Sequence, residues 1–381
     1  MADVAKNEVG ARIREARERL NMKQKKLAKL AGFSHHQQIS AIEQGQRDIR
    51  ANELMRLASA LHVEMGVLLG TQPFPDTHLV QWRERPEEGA DESEARLVQR
   101  AKRFHHLLEM TEARPQTLPQ FEIQDRASAE AEAQRAVDSL IKQLDLGSRP
   151  AASLQKILES EFHVLIWFED LGSDGSAACT HSEHGNAILV NSSEVPWRRN
   201  FDIAHELFHL VTWNSLGPGN PRSDDWNQEE IERLANTFAA TLLLPAEEVR
   251  AELYARADEG KIDGTDLIGI AVDFGVSTEA LLWRLKTLGF LKYAQAKELL
   301  DDQGFRQTDR GQRRGRRHSP KRQLPSTFVW LAFLACMKGA LSRSRMAEYL
   351  ETSLVELPLL LEEHDISEKE ERDYQETVVA F

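Results

Sequence analysis

The sequence is poor in cysteine and in long apolar runs, and both absences narrow what the chain can be. Only Cys179 and Cys336 occur among 381 residues. They lie far apart and give no disulfide framework of the kind that oxidised extracellular domains use. No apolar run approaches the roughly 18–20 residues needed to span a bilayer. The longest, STFVWLAFLACM from Ser326 to Met337, is too short. The opening MADVAKNEVGARIREARERL has no apolar centre of a secretory signal. No fixed-period repeat is visible. These absences lead us to expect a cytoplasmic protein with no membrane partner.

Enough apolar material is present for a core, at 41% of residues, and the length suits two or three domains. The net charge of −13 argues against nucleic-acid binding by the molecule as a whole. Charge is unevenly placed, however. Met1 to Gly70 carries twelve Lys/Arg against eight Asp/Glu. RQTDRGQRRGRRHSPKR, Arg306 to Arg322, carries eight Lys/Arg and one Asp.

Apolar positions recur at helical spacing from about Glu8 to Gly70, punctuated by Gly32 and Gly45. RERPEEGADESEARL and the proline-bearing EMTEARPQTLPQFEIQD read as linkers around a helix. From about Ala127 the pattern is mixed. AEAEAQRAVDSLIKQLDLG and SLQKILESEF are helical. HVLIWFED and NAILVNS look like strands separated by the turn-rich LGSDGSAACTHSEHG. NQEEIERLANTFAATLLLP is a strong helix stopped by Pro245. We therefore expect an α+β, mostly α protein. Residues 8–70 form an N-terminal helical domain, 71–126 a linker with a helix, and 127–300 a central domain. Residues 301–324 form a basic linker and 325–381 a C-terminal helical unit. Trp283 and Trp330 are expected in the core.

FDIAHELFHLVTW, Phe201 to Trp213, carries the chemistry. On a helix, residues four apart share a face, so His205 and His209 can offer two imidazoles to one cation. Glu206 is offset and can reach a water beside that cation. This H-E-x-x-H pattern supplies two zinc ligands and a general base. Two core histidines with satisfied hydrogen bonds are the alternative. Burying His205, Glu206 and His209 uncompensated would cost several kcal/mol, a cost that a metal offsets. A catalytic zinc takes a third protein ligand. Glu232 lies 23 residues beyond His209, with Glu229 and Glu230 as competitors. CTHSEH adds Cys179, His181 and His184, a further set of potential ligands that a hairpin would simply solvate.

WRRNFDIAHELFHLVTW followed by EEIERLANTFAATLLLP resembles the ImmA/IrrE family of zinc metallopeptidases over about Ala127 to Phe290. The resemblance implies a zincin-like domain with a small β-sheet and the HExxH helix. It implies Zn2+ held by His205, His209 and Glu232, with Glu206 as catalytic acid/base. It also places the NAILVNS strand at the cleft edge, where a substrate segment could add. Phe208 stands where the family often has glycine, adding bulk beside the ligand pair.

QKKLAKLAGFSHHQQISAIEQGQR has the layout of a helix-turn-helix, with Gln24 to Ala31 as first helix and about His36 to Gln44 as second. His36, Gln37, Gln38, Ser40 and Ala41 would face outward, and glutamine suits adenine in the major groove. Arg12, Lys23, Lys25, Arg47 and Arg50 are candidate phosphate contacts. Val9 to Gly70 resembles the XRE/Cro helix-turn-helix family, with a turn one residue longer than its commonest pattern. That implies a five-helix bundle, a double-stranded DNA operator and a homodimer. From these readings we expect Lys25, His36, Gln37, Gln38, Ser40 and Arg47 at the DNA. The expected whole is a DNA-binding regulator with zinc endopeptidase activity on a repressor or antitoxin, in stress response or mobile-element control. The alternative is a transcription factor or antitoxin whose peptidase-like domain senses without cutting.

Overall fold

The structure, a computed structural model, describes residues 2–74, 80–114, 116–218, 220, 223–259, 261–314 and 324–366. It is mostly helical with one small sheet, and it divides into two compact units. The first is Met1–Val80 with Pro86–Arg103, and the second is Gln81–Arg85 with Phe104–Phe381.

Five helices build the first unit: α1 (Ala2–Arg19), α2 (Gln24–Leu30), α3 (His36–Glu43), α4 (Ala51–Ala60) and α5 (Met65–Leu68). Their apolar faces close on one core that includes Ile13, Leu27, Ile39, Ile42, Leu57 and Leu68. Gly32 takes φ +69° in the turn between α2 and α3, where a side chain would be strained. Gly10 lets α1 approach α3 closely, since a Cβ there would stand 2.3 Å from the Ile42 carbonyl oxygen. The bundle is tied by a buried carboxylate. Arg17 donates to Glu43 through Nε at 2.7 Å and Nη2 at 3.0 Å, and the Gln24 amide donates to it at 2.8 Å. Glu43 thus joins α1, α2 and α3 at one point.

β1 (Val80–Trp82) enters the second unit at Gln81, and the long α6 (Ala90–Thr111) lies in the first unit as far as Arg103 and ends in the second, which continues with α7 (Ala129–Gln143) and α8 (Pro150–Ser160). Next come β2 (Leu165–Glu169), β3 (Ala177–Ser182), β4 (Gly185–Asn191) and the motif helix α9 (Pro196–Val211). After it follow α10 (Trp213–Leu216), α11 (Gln228–Leu243), α12 (Ala246–Arg256), α13 (Gly264–Asp273) and α14 (Thr278–Thr287). The last are α15 (Tyr293–Asp301), α16 (Gln303–Gln312), α17 (Ser326–Met337), α18 (Arg343–Tyr349) and α19 (Leu357–Glu363). The sheet order is β1-β3-β4-β2, with β4 parallel to β2 and antiparallel to β3.

Several sequence expectations change here. β3 lies inside the stretch read as turns. A run such as AACTHS has no period-2 signal, because its first four residues are all buried. NAILVNS does form a strand, β4, but an interior one, so its edges are taken and no peptide can add to it. The segment 116–126 is not a free linker. Leu118 and Ile123 are buried in the main core, and the Phe121 N–H donates to the Val211 carbonyl at 2.7 Å. The Gln120 amide donates to the Leu210 carbonyl at 2.9 Å. The end of α9 thereby gains partners for carbonyls that a helix leaves open. α16 occupies part of the expected basic linker 301–324, of which residues 315–323 lie outside the described residues, as do 367–381 of the C-terminal unit. Trp283 packs against the core, but Trp330 is 46% exposed.

Removing the Glu43 carboxylate leaves Arg17 and Gln24 without their buried acceptor. We expect Glu43→Ala to cost the first unit roughly 3–5 kcal/mol, as for other broken buried pairs. Urea unfolding followed by hydrogen exchange in α2 and α3 would measure it, and an unchanged midpoint would remove Glu43 from this role.

Candidate metal centre

The site is built on α9, which packs on the sheet on one side and against α11 on another. Pro196 opens the helix, where its missing N–H is not needed. Asp202, His205, Glu206 and His209 are all at most 2% exposed, an unusual density of ionisable groups in one buried helix. α11 brings Glu232 to them. The His205 Nε2 lies 2.9 Å from Glu232 Oε2, His209 Nε2 lies 3.5 Å from Oε1, and the two Nε2 atoms are 3.2 Å apart. Four ligands about 2.0–2.1 Å from a tetrahedral zinc would stand roughly 3.3–3.4 Å from each other. Three donors therefore already sit near the corners of one coordination tetrahedron. Among the described residues this is the one such His/Cys/Asp/Glu cluster.

The competing carboxylates are used elsewhere. Glu230 closes a capping box with Asn227, taking its N–H at 3.2 Å while its own N–H donates to the Asn227 side chain at 2.8 Å. Glu229 is exposed on the outer side of α11. Cys179, His181 and His184 do not converge. Cys179 is buried against Glu206, whereas the His181 Nδ1 pairs with Asn186 Oδ1 at 2.6 Å. Phe208 does not narrow the cleft, since its ring is fully buried against Phe238, with ring centroids 5.4 Å apart.

Side chains behind the histidines set which nitrogen faces inward. The His205 Nδ1–H donates to Asn236 Oδ1 at 3.2 Å, leaving Nε2 as the free lone pair. Behind His209 the partner is Gln81 from β1, whose amide nitrogen is 3.0 Å from Nδ1 while its Oε1 is buried without a partner. Turning that carboxamide over puts the oxygen on Nδ1–H, the arrangement needed when Nε2 carries a metal. The unpartnered oxygen is then satisfied. This residue set fits a divalent cation. Asn236 was within reach of the sequence reading as part of the α11 motif, but nothing in the sequence signalled Gln81.

Burial pushes both histidines down to about 3, helped at His205 by the charge of Arg83 and at His209 by its partner His205. Both are neutral and ready to ligate. Burial raises the Glu206 carboxyl well above its usual range, while the neighbouring Cys179 thiol favours the ionised form. Neither Glu206 oxygen meets a hydrogen-bond partner at bonding distance. Glu232 is also raised by burial, against the pull of His209.

In the first unit, Lys25, His36 and Gln37 are exposed on α2 and α3. The other expected contacts have local partners. The Gln38 side chain accepts the His35 N–H at 3.4 Å, and Ser40 accepts from the Gln44 amide at 3.2 Å. Arg47 donates to Glu53 at 2.6 Å.

Comparison with known proteins agrees with this architecture. Residues 159–286 match the IrrE N-terminal-like domain (Peptidase_M78), and residues 13–68 match the Helix-turn-helix family HTH_3. The chain thus carries an XRE-type helix-turn-helix domain and an IrrE-like, peptidase-family domain. No curated protein matches. Among solved structures, a Mycobacterium tuberculosis transcriptional regulator aligns at 20% identity and a TM-score of 0.29, over 49% of this chain and 51% of its own. The chain therefore spans about half the length of that protein. ComR from Streptococcus suis aligns at 11% identity and a TM-score of 0.16, over 98% of this chain and 94% of its own. No helix among the described residues is long and apolar enough to cross a membrane.

The depressed histidines make the metal-free protein acid-sensitive. Unfolded imidazoles take up protons near pH 6.5, the folded pair only near about 3. Between those values the unfolded state binds more protons, so stability falls as pH falls. We expect each histidine to cost up to ~2 kcal/mol between pH 7.5 and pH 5. Urea midpoints of chelator-treated protein test this, with the His205→Asn/His209→Asn double variant expected to lose most of the pH slope.

Proposed function

We propose that the protein is a zinc-dependent endopeptidase joined to a DNA-binding domain, and that it cleaves a transcriptional repressor or antitoxin. The observation that carries this reading is the tetrahedral spacing of His205, His209 and Glu232 next to a buried, unpartnered Glu206. A purely structural zinc site would have no use for that carboxylate. When bound, zinc supplies Lewis acidity, polarising a scissile carbonyl and acidifying water. His205, His209 and Glu232 would hold it. Glu206 takes up the proton as water adds to the carbonyl and delivers it to the leaving amine. Its raised affinity for protons, offset by the cation's charge, suits that exchange near neutral pH. Asn236 keeps the His205 imidazole turned so that Nε2 faces the ion.

The helix-turn-helix unit would place this activity at an operator, with Lys25, His36 and Gln37 the exposed contacts and a homodimer reading paired half-sites. Gln38 and Ser40 use only an acceptor oxygen in their present bonds, so the Gln38 amide N–H and the Ser40 hydroxyl hydrogen remain to donate to DNA, whereas Arg47 is shared with Glu53.

Glu206→Gln is expected to keep stoichiometric zinc and lose cleavage by at least a hundredfold, whereas Glu232→Ala should lose zinc. New protein N-termini in cells expressing wild type or Glu206→Gln, with metal content measured in both, provide the test. Identical N-termini with zinc bound in both proteins would leave a regulator that senses through this domain and cuts nothing.

A further inference from the structure

The segment Gln81–Arg85 belongs to the second unit, although the chain on both sides of it belongs to the first. It lies between the outer edge of β3 and the polar face of α9. The Arg83 N–H donates to the Ala177 carbonyl at 3.0 Å, and the Ser176 N–H donates to the Glu84 carbonyl at 3.1 Å. Its side chains meet α9 in reverse order along the helix. Gln81 lies on His209, Arg83 pairs with Asp202, and Glu84 pairs with Arg198 at 3.3 Å. An extended chain thus runs along α9 from His209 to Arg198, in the way a peptide bound by strand addition would lie.

What holds it is exchangeable. β1 has three half-buried residues and no deeply buried apolar anchor. Its backbone bonds are ones that any extended peptide can make. One specific contact is Arg83 with Asp202, a carboxylate with no exposed side-chain surface. Arg83 reaches only Oδ1, through one nitrogen, and the same carboxylate also meets Arg198 Nε at 3.6 Å and the Glu194 carboxyl, which is hydrogen-bonded to it. A guanidinium that met both oxygens would bind more strongly.

We propose that the groove between β3 and α9 is a peptide-binding site, that Gln81–Arg85 occupies it as an intramolecular substrate mimic, and that Asp202 selects an arginine in the peptide that replaces it. The arginine stands two residues C-terminal to the residue over His209. This rests on the peptidase reading for its consequence, since the occupied groove keeps Glu206 covered. Asp202 and Arg83 are specificity and blocking residues, and neither is catalytic.

Cys179 on β3, fully buried against Glu206, reports opening of the groove without reference to activity. In zinc-loaded Cys336→Ser protein, Arg83→Ala is expected to speed maleimide labelling of Cys179 at least tenfold. The synthetic hexapeptide VQWRER, matching residues 80–85, should slow it again. The same peptide with alanine for its first arginine should not. In wild type, excess VQWRER should speed amide exchange of residues 81–85 severalfold, a readout that needs no variant. The proposal is overturned if Cys179 labelling is unchanged by Arg83→Ala and those amides exchange at the same rate with and without peptide, as for a permanent strand. Equal protection by both peptides would overturn the role of Asp202. Opening and protection as expected, with no cleavage of any bound peptide, would leave the binding site standing and remove the peptidase reading.

Discussion

Burial of the polar face of α9 is the constraint on which the second unit depends. Asp202, His205, Glu206 and His209 sit where water does not reach. Each would cost several kcal/mol there if left alone. The surrounding elements are arranged to offset that cost. α11 supplies Glu232 and Asn236, the segment Gln81–Arg85 supplies Gln81 and Arg83, and the first turns of α9 supply Arg198. The histidines stay neutral, and the charge of Arg83, which acts on Glu206 and Glu232, is shared with Asp202. A divalent ion held between three lone-pair donors completes the balance. The same ion would give Glu206 the partner that its oxygens lack.

Much of this arrangement was legible in the sequence because helices repeat. A four-residue spacing puts two imidazoles on one face whatever the rest of the fold does, so His205 and His209 needed no tertiary information. Glu232 needed one more step, the packing of two consecutive helices. Its competitors fell away only when Glu230 was seen closing a capping box. The first unit was equally readable, with α2 and α3 close to their expected bounds.

The sheet was much harder to read. β3 hides in a run with glycine and serine on both sides, and its buried residues do not alternate. β1 is three residues long and leads into RERPEE, a charged stretch that normally marks solvent. Here Arg83 is instead nearly buried, because its partner Asp202 arrives from 119 residues away in sequence. No local pattern encodes such a pair. The misplacement of the cleft edge has the same origin. Strand order depends on which segment takes the outer position beside β3, and a linker that reads as solvated gave no reason to expect a strand.

A metal centre fitted for hydrolysis needs two opposed properties, exclusion of bulk water and admission of a chain to be cut. Packing that is apolar and permanent would give the first and forbid the second. Contacts made of backbone hydrogen bonds, an amide and ion pairs give both, since an extended peptide can replace each in kind. Their combined hold is modest, because such bonds contribute on the order of 1 kcal/mol net apiece. Segments of that kind open locally at far lower cost than the core. The chain on either side of Gln81–Arg85 belongs to the helix-turn-helix unit. Regulation of this site then requires no long-range rearrangement of the core, only a shift in which strand lies against β3.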